Sequence, residues 1–295
     1  KLLVLVTGAY GRRMVRICEY YRRACAVQET AEDRPVDPAA LDAVLAGDPG
    51  ITHVVVVHCE TTSGVLNPVE EIAAVTARHR RRLLIDAMSA FGAIPLDARR
   101  VPFDALAASA NKCLEGVPGV GFAIIRREAL EEARGQAPSL SLDLHDQWSV
   151  MDKNGQWRFT PPTHVIAALD RALDQHAAEG GVAGRGARYR HNCALLVDGL
   201  RALTHLIHSL APIFLLCDIR DVGAWLGDGS PSQAGQVVTR ETMRAQLLQG
   251  ETVTPTIYLY DNQPGGIGLA ERIFEVLPEL LAGALTRVDA LIAEG

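Results

Sequence analysis

Lysine is almost absent from this 295-residue chain: Lys1, Lys112 and Lys153 stand against twenty-six arginines. A lysine in a dry site can lose its proton and become a nucleophile, whereas arginine stays protonated. Lys112, set among small residues in "SANKCLEGVPG", therefore points to chemistry that a guanidinium cannot perform. Other scarcities narrow the field. The cysteines at 18, 25, 59, 113, 193 and 217 include no C-x-x-C pair and no metal-ligand spacing, which argues for free thiols in a reducing cytoplasm. The sequence shows no signal-peptide pattern and no apolar run long enough to cross a bilayer, so neither a leader nor a span is expected from it. "GVPGVG" lacks both the Walker lysine arrangement and the dinucleotide fingerprint, so the NTPase and Rossmann readings fall away. No internal repeat occurs. The formal charge of −6 gives no reason for general affinity for nucleic acid or anionic membrane. The basic run Arg78–Arg82 reads as a solvated helix end.

What is present is an ordinary globular composition, 48% hydrophobic and 22% charged, enough for one large α/β domain or two smaller ones. Apolar strand-like runs at Leu2–Val6, Thr52–His58 and Leu83–Gly92, then in "FDALAASANK" and "GVGFAIIRRE", alternate with helical patterns from about Arg12, around Leu41 and in "PVEEIAAVTARHRRR". This alternation predicts an α/β fold with a mostly parallel sheet flanked by helices. Ligands of such sheets sit beyond the carboxyl ends of the strands, and "TGAYG", "HCETTSG", "DAMSAFG" and "SANK" all follow strands. After Gly135 the chain becomes irregular and aromatic-bearing, then mostly helical from Val165 to Leu203. Beyond it lie an apolar run, a polar glycine- and serine-bearing loop and "TPTIYLYDNQPGGIGLAERIFEVLPELL".

Asp86 ends the run "LLID", where a carboxylate needs a cation or a strong donor to offset desolvation. It reads as a helix cap or as the partner of a protonated ring nitrogen, the role an acid plays in pyridoxal phosphate enzymes. Lys112 follows twenty-six residues later, about one strand-helix-strand unit on, so the two can converge. Lysine as a Schiff-base nucleophile is established chemistry for carbonyl cofactors, against the alternative of a surface lysine. Tyr10 can stack on an aromatic ring or close its turn as a core residue. Thr61, Thr62 and Ser63 offer hydroxyl donors or simply form a turn. Small Ser109, Ala110 and Gly116 leave room for a flat cofactor. His58 and His145 are candidates for acid–base work or satisfied structural histidines.

The motifs "GAYGRRM", "HCETTSGVLNP", "DAMSAFGAIP", "SANKCLEGVPGVGF", "SLSLDLHDQW" and "QWRFTPPTH", in that order over residues 1 to about 203, resemble the 2-aminoethylphosphonate–pyruvate transaminases. These are class V, fold type I pyridoxal phosphate aminotransferases. The resemblance implies a partial fold type I large domain over 1–203. It also implies a cofactor-bonding, proton-moving role for Lys112 and an acid on the pyridinium nitrogen at Asp86. An aromatic over the ring falls at Tyr10, and a threonine near the phenolic oxygen at Thr61 or Thr62. Ser109 belongs to the same cofactor-binding set. Thr160 of "WRFT" would reach the cofactor phosphate of a neighbouring subunit, hence a homodimer. The implied reaction passes an amino group from 2-aminoethylphosphonate to pyruvate, giving phosphonoacetaldehyde and alanine, in the cytoplasm.

Two departures follow. The family has a further N-terminal segment whose turn, at a helix N-terminus, holds the cofactor phosphate, and the chain starts after it; an upstream segment is expected to be missing. From about Thr204 the family's small domain and its substrate arginine give way to a segment, 204–295, expected to be a smaller α+β unit. It resembles the C-terminal accessory region of DEAD/DEAH-type helicases, without the cysteine cluster that often follows there. Arg158 and Arg220 are substrate-arginine candidates by charge alone. The tail would dock Ile267, Leu269, Ile273, Phe274 and Leu277, with Asp261 and the "PGG" turn as a tight backbone feature. The alternatives are a nucleic-acid-associated helicase fragment, against which the acidic balance and absent motor motifs count, and a catalytically inactive fusion.

Overall fold

A computed structural model describes residues 1–215, 222–227, 256–261 and 269–294. Its first strand, β1 (Leu2–Val6), carries side chains that are nearly all buried, as a strand covered on both faces requires. Helix α1 (Ala9–Tyr20) returns the chain to β2 (Cys25–Glu29), and α2 (Pro38–Gly47) leads into β3 (His53–Val57). Asp37 caps α2 by accepting the Ala39 N–H at 2.8 Å, with Pro38 at the first helical position, the favoured start signal. Helix α3 (Val69–Arg78), then β4 (Arg82–Asp86), β5 (Ala105–Ser109) and β6 (Gly121–Ile125), complete a six-stranded sheet of order β2-β1-β3-β4-β5-β6. Every neighbouring pair is parallel except β5 with β6.

The mostly parallel sheet expected from the apolar runs is therefore present. Strand β2 was not expected. "CAVQE" alternates and stays partly exposed at the sheet edge, so it lacks the continuous apolar signature of the central strands. The principal core joins Leu3, Leu5, Val54, Val56, Leu83, Ile85 and Leu106 of the sheet to Leu41, Leu45 and Ile72 of α2 and α3. The basic run at the end of α3 is tied locally: Arg78 and His79 both bond Asp42, and Arg82 opens β4 beside Asp104.

Beyond β6 come α4 (Arg127–Glu132), α5 (Leu144–Asn154), α6 (Thr163–Ala178) and α7 (Gly181–Leu215). Helix α5 corrects the irregular reading of this stretch. Its start is capped by Asp143, which accepts the Asp146 N–H at 3.0 Å, and its end by Gly155 at φ 70°, both recognisable signals.

The chain divides into two units, Lys1–Tyr189 and Arg190–Gly295, with the division inside α7. In the second unit, β7 (Val222–Gly227) pairs antiparallel with β8 (Thr256–Asp261), followed by α8 (Leu269–Glu275) and α9 (Leu277–Glu294). Ala211, Leu215, Ile273 and Leu280 form its small core. The expected docking set is corrected at Phe274, which is 78% exposed. With 3.6 residues per turn, the residue after an inward-facing Ile273 points about 100° away. Asp261 ends β8, while Ile267 and the "PGG" turn lie outside the described residues. Among the described residues no helix is long and apolar enough to cross a membrane.

Candidate active site

Strands β1, β3, β4 and β5 run parallel, so their carboxyl ends share one edge of the sheet. Two side chains lace the first two exits together. Buried Asn67 donates to Thr7 Oγ1 at 3.1 Å and to the Val57 carbonyl at 2.8 Å, while its own carbonyl oxygen accepts the Val36 N–H at 2.9 Å. Helix α1 begins two residues later, and its first amides need outside acceptors. Ala9 N–H donates to Thr62 Oγ1 at 3.4 Å, and Tyr10 N–H to Glu60 Oε1 at 3.3 Å. A carboxylate suits the positive end of the helix. Glu60 is fully buried, also accepts the Thr62 hydroxyl at 3.0 Å, and keeps its other oxygen buried without a partner. A Cβ at Gly8 would stand 2.6 Å from Glu60 Cγ, so the close approach of β3's exit requires glycine there. The half-buried Tyr10 ring has the Arg13 guanidinium 4.6 Å from its centroid, within cation–π range.

Asp86 closes β4 and accepts the Met88 N–H at 2.9 Å. Burial pushes its carboxyl above the usual range. The Met88 N–H opposes that, the charge of Glu60 adds to it, and Arg13 and Lys112 pull it back down. Lys112 lies three residues past β5, which pairs with β4 in the register Asp86↔Ala107. Its turn is closed by two hydrogen bonds of 2.8 Å, Glu115 N–H to the Lys112 carbonyl and Gly116 N–H to the Ala110 carbonyl. The neighbouring Cys113 thiol is buried and donates to the Ser89 carbonyl at 3.3 Å. Thr61 and Ser89 join their hydroxyls across the exits of β3 and β4. Ser109 Oγ is buried without a partner.

The structure thus brings Tyr10, Thr61, Thr62, Asp86, Ser109 and Lys112 to one edge, together with Glu60, Arg13 and Ser89, which the sequence reading had not singled out. Glu60 had a signal of its own, an acid inside a hydroxyl-rich exit following four valines. Thr160 is exposed and bonds to none of these residues. His58 is 5% exposed, and burial pushes its imidazole down to about 4; it is a neutral core histidine at neutral pH. His145 lies apart from this edge: it lines a cavity of about 380 Å³ with His53, Arg82 and Asp104, at the amino ends of the strands. Asp143, His145 and Asp146 bring possible metal ligands together there. Asp143 already caps α5, however, and Arg158 pairs with Asp146 at 3.5 Å. Arg158 also donates to the Leu140 and Asp143 carbonyls, which ties it to the segment around α5. Arg220 lies outside the described residues.

Pyridoxal phosphate fits the residues at the edge. They include an amine, an acid, an aromatic ring, a cluster of hydroxyls and, in Ser109, a buried hydroxyl still lacking an acceptor or donor.

A family model described as Aminotransferase class-V matches residues 15–210, and one described as MrfA Zn-binding domain matches 203–292. Zinc does not fit the second region well. Its thiol and imidazole groups number three, His205, His208 and Cys217, where structural zinc sites commonly use four. A 2-aminoethylphosphonate–pyruvate transaminase of Pseudomonas putida (strain W619) is 57% identical over 203 residues, 69% of this chain and 55% of the relative. The chain therefore spans about half the length of the curated relatives it matches. Among solved structures, alanine–glyoxylate aminotransferase of Nostoc sp. superposes with a TM-score of 0.60 at 21% identity, covering 67% of this chain and 52% of that one. Pyridoxamine–pyruvate aminotransferase of Mesorhizobium loti gives 0.59 at 24% identity, covering 97% and 73%. These structural likenesses establish the fold, and class-V aminotransferases depend on pyridoxal phosphate. With its family match covering 15–210, the chain belongs to the class-V aminotransferases.

Proposed function

We propose that residues 1 to about 203 are a transaminase core that uses pyridoxal phosphate to pass an amino group from 2-aminoethylphosphonate to pyruvate. The observation that carries the reading is the placement of an exposed Lys112 and a half-buried Asp86 on adjacent strand exits at the same end of the sheet. The 57% identity to a transaminase of that name supports the choice of substrates. Near Leu203 the ancestry changes to that of the helicase-associated segment.

When bound, the cofactor supplies an electron sink for the carbon that carries the amino group. Lys112 Nζ would hold the cofactor at its carbonyl carbon and, when free, would serve as the base that takes a proton from the substrate carbon bearing the amino group and the acid that returns it. Asp86 would hold the cofactor at its ring nitrogen and keep a proton there, and that cation would offset the burial that raises the carboxyl, because a cation beside a carboxylate favours the charged form. Tyr10 would orient the ring by stacking, its backbone fixed through Glu60. Of the two threonines, Thr61 would donate toward the phenolic oxygen, since the Thr62 proton is given to Glu60, and Ser109 would offer its unpartnered hydroxyl. Thr160 serves the cofactor of a partner subunit, which makes the working form a homodimer.

A coupled assay tests this. The purified chain, given pyridoxal phosphate, 2-aminoethylphosphonate and pyruvate, is expected to form alanine, and Lys112→Ala is expected to form none. Equal alanine formation by the two proteins would overturn the assignment of Lys112; none from either would overturn the transaminase reading for this chain.

A further inference from the structure

The carbonyl one residue past Lys112, that of Cys113, accepts a hydrogen bond from Arg185, seventy-two residues further along the chain. Arg185 lies near the start of α7 and is 2% exposed. A guanidinium this deeply buried is costly unless its charge and its donors are all met. Here one cluster meets the charge and the donors on Nε and Nη1. Arg185 Nε donates to Glu179 at 2.6 Å, and its Nη1 stands 3.4 Å from Glu115. Arg188 bridges the same two carboxylates from the exposed side, at 2.7 Å to each, and the Tyr189 hydroxyl donates to Glu115 at 3.0 Å.

Glu115 is the informative member. It closes the Lys112 turn through its N–H, and it does so at φ 59°, a left-handed conformation that strains a non-glycine residue. Glycine would be the unstrained choice there. The carboxylate offsets that strain by supplying the counter-charge for a buried arginine that also grips the next carbonyl. Among the described residues no other side chain is seen to donate to the backbone of residues 110–116.

We propose that Arg185 is a positioning residue: it clamps the Cys113 carbonyl, with Glu115 and Glu179 as its counter-charges, and so fixes the turn that aims Lys112. Its consequence for catalysis rests on the transaminase reading above, whereas the clamp itself does not.

Hydrogen exchange on the full chain separates the two. In Arg185→Gln, amides in the 111–117 peptide are expected to exchange about tenfold faster, with peptides over β1 and β3 unchanged, because a local opening loses its restraint. Arg188→Gln touches the same carboxylates but not the carbonyl, and is expected to change that peptide far less. Arg185→Lys keeps a charge and one donor and is expected to fall between. Should Arg185→Gln not fold, Arg185→Lys is compared with Arg188→Lys, and the same ordering is expected. Unchanged exchange at 111–117, or acceleration equal to that of the position-188 variant, overturns the clamp. With cofactor added, the clamp predicts slower labelling of Lys112 in the position-185 variants than in the parent. An unlabelled parent would count against the transaminase reading and leave the exchange result to decide the clamp.

Discussion

Asp86 and Lys112 leave the same edge of the sheet from adjacent, parallel strands, and the ammonium of one lowers the proton affinity of the other's carboxyl. Burial acts on Asp86 in the opposite direction and prevails. In isolation the acid is therefore a poorly solvated charge, held where a cationic ring nitrogen would stabilise it.

That conflict separates stability from activity. Replacing Asp86→Asn removes a half-buried charge that acts on the same site as Glu60 while keeping the shape of the side chain. The melting temperature of the variant without cofactor is expected to match or exceed that of the parent, since destabilised groups cluster where function needs them. Transaminase turnover is expected to drop about a hundredfold or more, the scale of a lost proton-holding group. Thermal unfolding and the coupled alanine assay read the two effects. A large loss of stability with turnover intact would contradict this role.

Ser109 allows a similar separation on a smaller scale. Its hydroxyl is buried with no partner, so Ser109→Ala relieves an unsatisfied group and is expected to leave the cofactor-free chain as stable as before, or slightly more so. If the hydroxyl bonds the cofactor, its loss weakens affinity by about 1 kcal/mol, a typical single hydrogen bond. Fluorescence titration with pyridoxal phosphate checks this; unchanged affinity would remove Ser109 from the binding set.

His58 sets a pH dependence of stability. Buried, it titrates at about 4, against roughly 6.5 when unfolded. Between those values the unfolded chain binds the extra proton, so acid favours unfolding and stability rises with pH. The contribution is whole above the unfolded value and declines as pH falls from about 6.5 toward 4. Urea unfolding of the parent is expected to lose about 2 kcal/mol from this group between pH 7 and pH 5. In His58→Gln that part of the slope should vanish. An identical slope in both proteins would show that His58 is not the group responsible.

The central strands were legible because a strand covered on both faces must be apolar throughout, as Leu2–Val6 and the four valines of β3 are. The same rule hid β2, whose edge position tolerates "CAVQE". Helix α5 was legible in principle from Asp143 and Gly155, but its face holds Trp148, His145 and Met151 among polar residues, and no continuous apolar stripe announced it. At the site, residues that follow strands could be gathered by topology alone. The supports could not. Glu60 works by accepting an amide fifty residues earlier in the chain, and Arg185 by reaching a carbonyl seventy-two residues away. Such pairings are set by packing and leave no local pattern. Arg185 sits in "GRGARYR", which reads as one more solvated basic stretch until its burial is known.

The most direct test of the account is chemical. The purified chain is incubated with pyridoxal phosphate, reduced with borohydride, digested and mapped by mass spectrometry. The account predicts a pyridoxyl group on the peptide containing Lys112, absent from Lys112→Ala and diminished in Asp86→Asn. A label distributed over Lys1 and Lys153 as heavily as over Lys112, or no label at Lys112, would contradict it.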